Sequence, residues 1–377
     1  TTTETTMNSF LGMLASLALI TSLFANVAHS APQTLKVLNW GEYIDPDAIT
    51  AFEQANDVTI EYSEFNSVDE FTELFFNPSN EYDVIFPASA IIQIMADNDL
   101  IIPLDKNRFQ NFSSLNPVVM SGLELLDNGN VYTIPYMWGT TGIGINAKAL
   151  KKVGIDSSNH SWALLFDEQY RKKIAQCGIG LVNERDEIFA AALKYLGYSV
   201  NTSSKAELQA AGQLLKETIA DINYLHSTQY TDDLRENKIC LGVGYSGDIL
   251  TEMDSNKNLE YVIPKEGAAM WIDIMAIPKN APNKDMAYTF IDYMMSAKVS
   301  AQNSNYTAYP TPMLDAQKFV DTEILSDPTI YPNAQTLASL QMMGPKERKV
   351  NRIKHRLWVK AICAGGKWCS VPMKSYF

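Results

Sequence analysis

Three short apolar runs, at 35–39, 58–62 and 82–87, alternate with two stretches of helical character, and this alternation constrains the fold more than any other feature of the chain. The first helix is expected at 46–56, with Asp45 as its N-cap and Pro46 at its first position. In the second, Ser67 is followed three residues on by Glu70, the pattern of a capping box, and the helix should run to Phe76. A further helix is expected at 90–97. Strands and helices of this length in strict alternation predict an α/β fold with a mostly parallel sheet covered by helices.

The chain has 377 residues, too many for one simple core, so two domains are the default. Two extended runs, 131–137 and 141–146, flank Trp138-Gly139-Thr140 and are placed to carry the backbone between domains. Helices follow at 162–175, 184–196, 205–219 and 230–236, then a strand at 239–245 leading into a helix at 247–254. Strands at 259–264 and 269–277 precede an amphipathic helix at 285–296, which aligns Ala287, Phe290, Ile291 and Met294 on one face. Residues 308–312 form a stiff extended link, because Pro310 and Pro312 restrict themselves and their predecessors.

Charge is unevenly spread. The whole chain carries −13, yet residues 345–377 hold nine Lys or Arg and one Glu, and Glu4 is the sole charge before Ala31. The remaining body, 31–344, carries a net −20, which repels nucleic acid and favours small cations. The basic end reads as a poorly packed extension, with 361–377 as an atypical tail. At the other end, an apolar stretch at 11–25 followed by Ala28-His29-Ser30 reads as an export signal cleaved between Ser30 and Ala31, although no basic residue precedes the stretch. Four cysteines and four histidines lack the spacing of a metal site. Cys177 and Cys240 are compatible with a bridge in an oxidising compartment, and Cys363 and Cys369 lie in the basic end.

The chemistry concentrates where aromatic residues stand beside acids at strand ends. Asn39-Trp40-Gly41-Glu42-Tyr43 ends the first strand, with Gly41 as the expected turning point, and the carboxyl end of a strand is where an open α/β sheet binds ligands. Gly244-Tyr245-Ser246-Gly247-Asp248 repeats the pattern at a strand-to-helix junction. On a strand, the spacing of two in Trp271-Ile272-Asp273 puts the ring and the carboxylate on one face. Asp186-Glu187 opens an apolar helix, where acids also complement the helix dipole, and Tyr309 precedes the proline link. Aromatic faces and carboxylates together suit a cation. Each site taken alone also fits a core ring and a surface acid. No phosphate loop, dinucleotide turn or serine-hydrolase motif is present. A glycosidase using paired carboxylates is the alternative from the enzyme class.

Over nearly all of 33–340 the chain resembles the periplasmic polyamine-binding proteins of ATP-driven (ABC) importers, and most of all their putrescine-binding members. The resemblance rests on 39–44 (NWGEYI), 83–87 (DVIFP), 135–144 (PYMWGTTGIG), 244–248 (GYSGD), 263–267 (IPKEG) and 309–312 (YPTP). It implies a two-lobed solute-binding fold of type II, each lobe a mixed sheet flanked by helices, with the ligand cleft between lobes. Lobe 1 would comprise 33–138 and 262–310, and lobe 2 would comprise 139–261 and 311–360. The resemblance implies binding without catalysis and without a cofactor. Trp40, Tyr43, Tyr245, Trp271 and Tyr309 would form an aromatic box, while Glu42, Glu187, Asp248 and Asp273 would bind ammonium groups. Tyr245 stands where relatives usually have Trp, and Trp271 where the putrescine binder has Phe. Relatives have Ser directly after the position of Pro87; here Ala88 intervenes, leaving Ser89 as the substitute. Cys177 and Cys240 fall where the putrescine binder has a disulfide. The implied partners are putrescine, with spermidine or agmatine as alternatives, and the membrane permease of an importer, for a periplasmic monomer; a polyamine sensor is the further alternative.

Overall fold

Asp45 accepts a hydrogen bond from the Asp47 amide at 2.9 Å and, with Pro46 at the first position, starts the helix Pro46–Asn56 where the sequence pattern puts it. Ser67 caps the helix Val68–Phe75 by accepting from the Glu70 amide, while the Glu70 carboxylate accepts from the Asn66 amide. These two helices join the strands β1 (Gln33–Trp40), β2 (Val58–Phe65) and β3 (Val84–Ile85) in a parallel sheet of order β2-β1-β3. The computed structural model describes residues 33–345 and 347–364, so the expected export signal with its cleavage site, Cys369 and most of 361–377 lie outside the described residues.

The two expected extended runs in mid-chain are one strand, β4 (Ile134–Asn146), which continues without a break through Trp138-Gly139-Thr140. All thirteen of its residues are buried. Around it form β5 (Ile179–Leu181), β6 (Tyr224–Leu225), β7 (Leu241–Tyr245), β8 (Leu259–Val262), β9 (Ala269–Met275) and β10 (Gln341–Met342). The second sheet has the order β10-β9-β4-β7-β5-β6, with β8 also paired to β4. Strands β7, β8 and β9 run antiparallel to β4, whereas β5 is parallel to β6 and β7. Antiparallel bridges from Ile85 to Ala276, just past β9, and from Ala88 to Asp273 in β9 tie the first sheet to this strand, which makes that sheet mixed as well.

Apolar side chains gather on either side of the β4 and β9 crossing. One core holds Leu35, Val37, Phe52 and Phe86 with Phe290 and Ile291 of the helix Lys284–Met295. The other holds Ile143, Trp162, Leu181, Phe189, Leu215 and Val243. Met313, Ala316 and Val320 belong to the first core and Ile330 to the second, with Ile324 and Tyr331 packed against both. The helix expected at 162–175 is two helices, Ala163–Phe166 and Glu168–Ile174, because Asp167 takes an extended conformation and caps the second. A disulfide joins Cys177, beyond that second helix, to Cys240 at the start of β7.

The basic end departs from its expected looseness. Residues Arg348–Cys363 form a helix that buries Ile353, Trp358, Ala361 and Ile362 in the second core. It lies against the helix Lys205–Ile219 at Gly212, where an added Cβ would stand 2.9 Å from the Leu357 side chain. Apart from Lys354, its charged residues lie on the solvent side, so a positive segment packs as firmly as a neutral one.

Candidate functional site

At the seam between the two cores a cavity of about 400 Å³ opens, and the ends of several strands converge on it. Trp40 and Tyr43 follow β1, Tyr245 and Asp248 follow β7, and Trp271 and Asp273 come from β9. Glu187 is supplied by the first turn of the helix Arg185–Tyr195, and Tyr309 by the segment after the helix Ala297–Thr307. Eight of the ten residues expected at the site therefore line one cavity.

The rings form a chain of edge contacts. Tyr43 meets Tyr309 at 5.4 Å between centroids, Tyr309 meets Trp271 at 5.1 Å, and Trp271 meets Tyr245 at 5.6 Å, with planes 70° to 83° apart. Close backbone approach makes room for these rings: an added Cβ on Gly139, which pairs with Trp271 across β4 and β9, would fall 2.6 Å from that indole. The indole N–H groups of Trp40 and Trp271 are buried without a hydrogen-bond partner.

Both carboxylates are held by tyrosines. The Tyr43 hydroxyl donates to Asp273 Oδ2 at 2.9 Å, and Tyr136 donates to the Tyr43 carbonyl from behind at 2.6 Å. Asp248 accepts from Tyr309 at 2.8 Å and from Tyr230 at 3.1 Å. Burial, reinforced by the neighbouring acids, lifts the Tyr43 and Tyr309 hydroxyls well above their ordinary pKa, so both remain donors. Burial also pushes Asp273 up to about 8, against the Tyr43 hydrogen bond and with the help of Asp248 and Glu187. Asp248 is raised for the same first reason, although the Tyr309 and Tyr230 hydroxyls work to lower it. Two desolvated acids in an aromatic-walled cavity are stabilised in their charged form by an entering cation.

Two expected residues stand elsewhere. Glu42 is exposed and does not line the cavity. The turn spans Gly41 and Glu42, but it is Glu42 that adopts the left-handed conformation, φ 53°, with its amide bound to Glu64. That turn directs Tyr43 inward and leaves the Glu42 side chain at the surface, though near enough for its charge to raise Asp248. Ser89 is buried in a small adjoining hollow of about 50 Å³ that it shares with Ala88, Glu187, Trp271 and Asp273.

Other contributors were not anticipated. Tyr230, on the helix Gln229–Arg235, anchors Asp248 and receives the Tyr245 amide at 3.3 Å. The C-terminal helix adds Asn351 and Lys354 to the cavity wall. The signal for Lys354 was present in the sequence: it interrupts the apolar stripe Val350, Ile353, Leu357, Trp358, Ala361.

Residues 47–332 match the bacterial extracellular solute-binding proteins, and the chain belongs to that family. It is accordingly a binding protein rather than an enzyme, and the glycosidase alternative is set aside. Among individual relatives, it is similar to the putrescine-binding periplasmic protein SpuD of Pseudomonas aeruginosa, 33% identical over 94% of this chain and 98% of that protein. The putrescine-binding periplasmic protein PotF of Escherichia coli is 31% identical over 87% and 91% of the two chains. In three dimensions the chain resembles the spermidine/putrescine ABC transporter substrate-binding protein PotD of Streptococcus pneumoniae, with a TM-score of 0.77 and 29% identity, covering 87% of this chain and 98% of that one. Among the described residues no helix is long and apolar enough to cross a membrane.

Proposed function

We propose that this protein captures a polyamine outside the cytoplasm, with putrescine as the preferred ligand, and delivers it to the permease of an ABC importer. The observation that carries this reading is the pair Asp248 and Asp273, each held by tyrosine hydroxyls and facing one ring-lined cavity. A diamine would lay its methylenes against Trp40, Tyr43, Tyr245, Trp271 and Tyr309, and its ammonium groups would meet Asp248, Asp273 and Glu187. Methylene burial contributes about 0.8 kcal/mol per group. A diamine of the wrong reach would leave a buried carboxylate unpaired, which costs affinity and so measures chain length. The two lobes would close on the ligand about the β4 and β9 crossing. The names of SpuD and PotF, both putrescine-binding periplasmic proteins, support the choice of ligand and of compartment. Titration calorimetry against putrescine, cadaverine, spermidine and agmatine tests it. Tightest binding is expected with putrescine, and heat from none of the four would overturn the reading.

A further inference from the structure

Among the described residues, the cavity wall contains one cation among acids. Lys354 reaches it from the Arg348–Cys363 helix, which is fixed in place by Trp358 and by the contact of Leu357 with Gly212. Its ammonium stands 3.7 Å from Asp186 Oδ1, and both side chains are largely buried, 11% and 16% exposed. The same carboxylate already receives Arg185 through Nε at 3.3 Å and Nη2 at 3.0 Å, and Arg185 also bonds Asn351 of the C-terminal helix. One carboxylate thus sits between two cations, and Lys354 places a positive charge in a wall otherwise lined by acids. Lys354 also lies 5.9 Å above the Phe189 ring, a face that favours an ammonium. The other charged groups of the wall, Glu184, Glu187, Asp248, Asp273 and Glu347, are all acidic.

We infer that Lys354 is a specificity-determining residue that biases the cavity against a third ammonium group. The inference rests on the polyamine reading and deepens it. A volume of about 400 Å³ lies within the range that admits drug-sized ligands, so size alone does not exclude a triamine. A fixed positive charge in the wall does discriminate. It repels a trication more than a dication, and low dielectric lets that difference persist. Asp186, the neighbour of Glu187 at the helix start, is already engaged by Arg185 and Lys354.

The test compares the full chain with its Lys354→Met and Lys354→Arg variants, titrated with putrescine and with spermidine, alongside thermal melts. Methionine keeps the stem over Phe189 and loses the charge. Lys354→Met is expected to move the ratio of the two dissociation constants about tenfold toward spermidine, whereas Lys354→Arg leaves it in place. The reverse shift is expected for Asp186→Asn, which leaves the cations without their carboxylate and is available should Lys354→Met fail to fold. An unchanged ratio in Lys354→Met, or equal loss for both ligands, would overturn the inference while leaving polyamine binding intact. Wild-type protein that bound neither ligand would overturn both.

Discussion

Asp273 carries the sharpest consequence at the scale of single residues. Folding raises its pKa to about 8, whereas an unfolded aspartate titrates near 3.9. Between those values the folded chain holds a proton that the unfolded chain has lost. The stability this group contributes is therefore present at low pH and is lost as pH rises through about 8. Asp273→Asn should remove that loss and raise the melting temperature of the ligand-free protein at pH 8 to 9. The same change should weaken putrescine binding by about 1.5–3 kcal/mol, the range for hydrogen bonds to charge, as should Asp248→Asn. Calorimetry that returned wild-type affinity for both variants would remove these residues from the site. A second expectation follows from the same titration. An arriving ammonium favours the carboxylate, so binding below pH 8 expels a proton, and affinity falls as pH is lowered. Binding enthalpies measured in two buffers of different ionisation heat should therefore differ at pH 6.5, and Asp273→Asn should shrink that difference.

At the scale of elements, the site depends on close packing of backbone against ring. An added Cβ at Gly247 would lie 2.4 Å from Tyr309 Cε2, and Tyr309 holds Asp248. Gly247→Ala should push that ring aside and reduce putrescine affinity with little change in secondary structure, measured by calorimetry and circular dichroism. The C-terminal helix provides the contrasting lesson. The nine-to-one excess of basic over acidic residues across 345–377 masks a short apolar stripe. With Trp358 only 2% exposed, Trp358→Ala should cost about 3–5 kcal/mol in urea denaturation. A loss under 1 kcal/mol would restore the reading of this segment as a loose extension. Helix starts were legible because capping is local: Asp45, Ser67 and Ser204 each bond an amide two or three residues away. The unbroken course of β4 was not, since it answers to partners remote in sequence; the break at Asp167 is itself a local cap, with Asp167 accepting from the Gln169 amide inside a stretch whose pattern reads as one helix.

For the whole molecule, the seam between cores is where binding and motion meet. Tyr43 and Tyr309 belong to the first core, Tyr230 to the second, and Tyr245 packs against both. Closure on a ligand should therefore be visible as a smaller radius of gyration in solution scattering when putrescine is added, and an unchanged radius would argue for a preformed site. The sequence by itself determined the alternation of strands and helices, the acidic body, and the aromatic–acid pairs at strand ends, because periodicity, capping and strand-end chemistry are written within a few residues. Through the family resemblance it also brought Trp40, Glu42, Tyr43, Ser89, Glu187, Tyr245, Asp248, Trp271, Asp273 and Tyr309 forward as one set, of which all but Glu42 and Ser89 line the main cavity. Only the tertiary structure decided that Tyr43 turns inward while Glu42 stays at the surface, that Tyr230 steadies Asp248, and that Lys354 enters the wall. Those outcomes depend on which distant surfaces meet and on how burial reprices each charge, and neither is encoded at any one stretch of the chain.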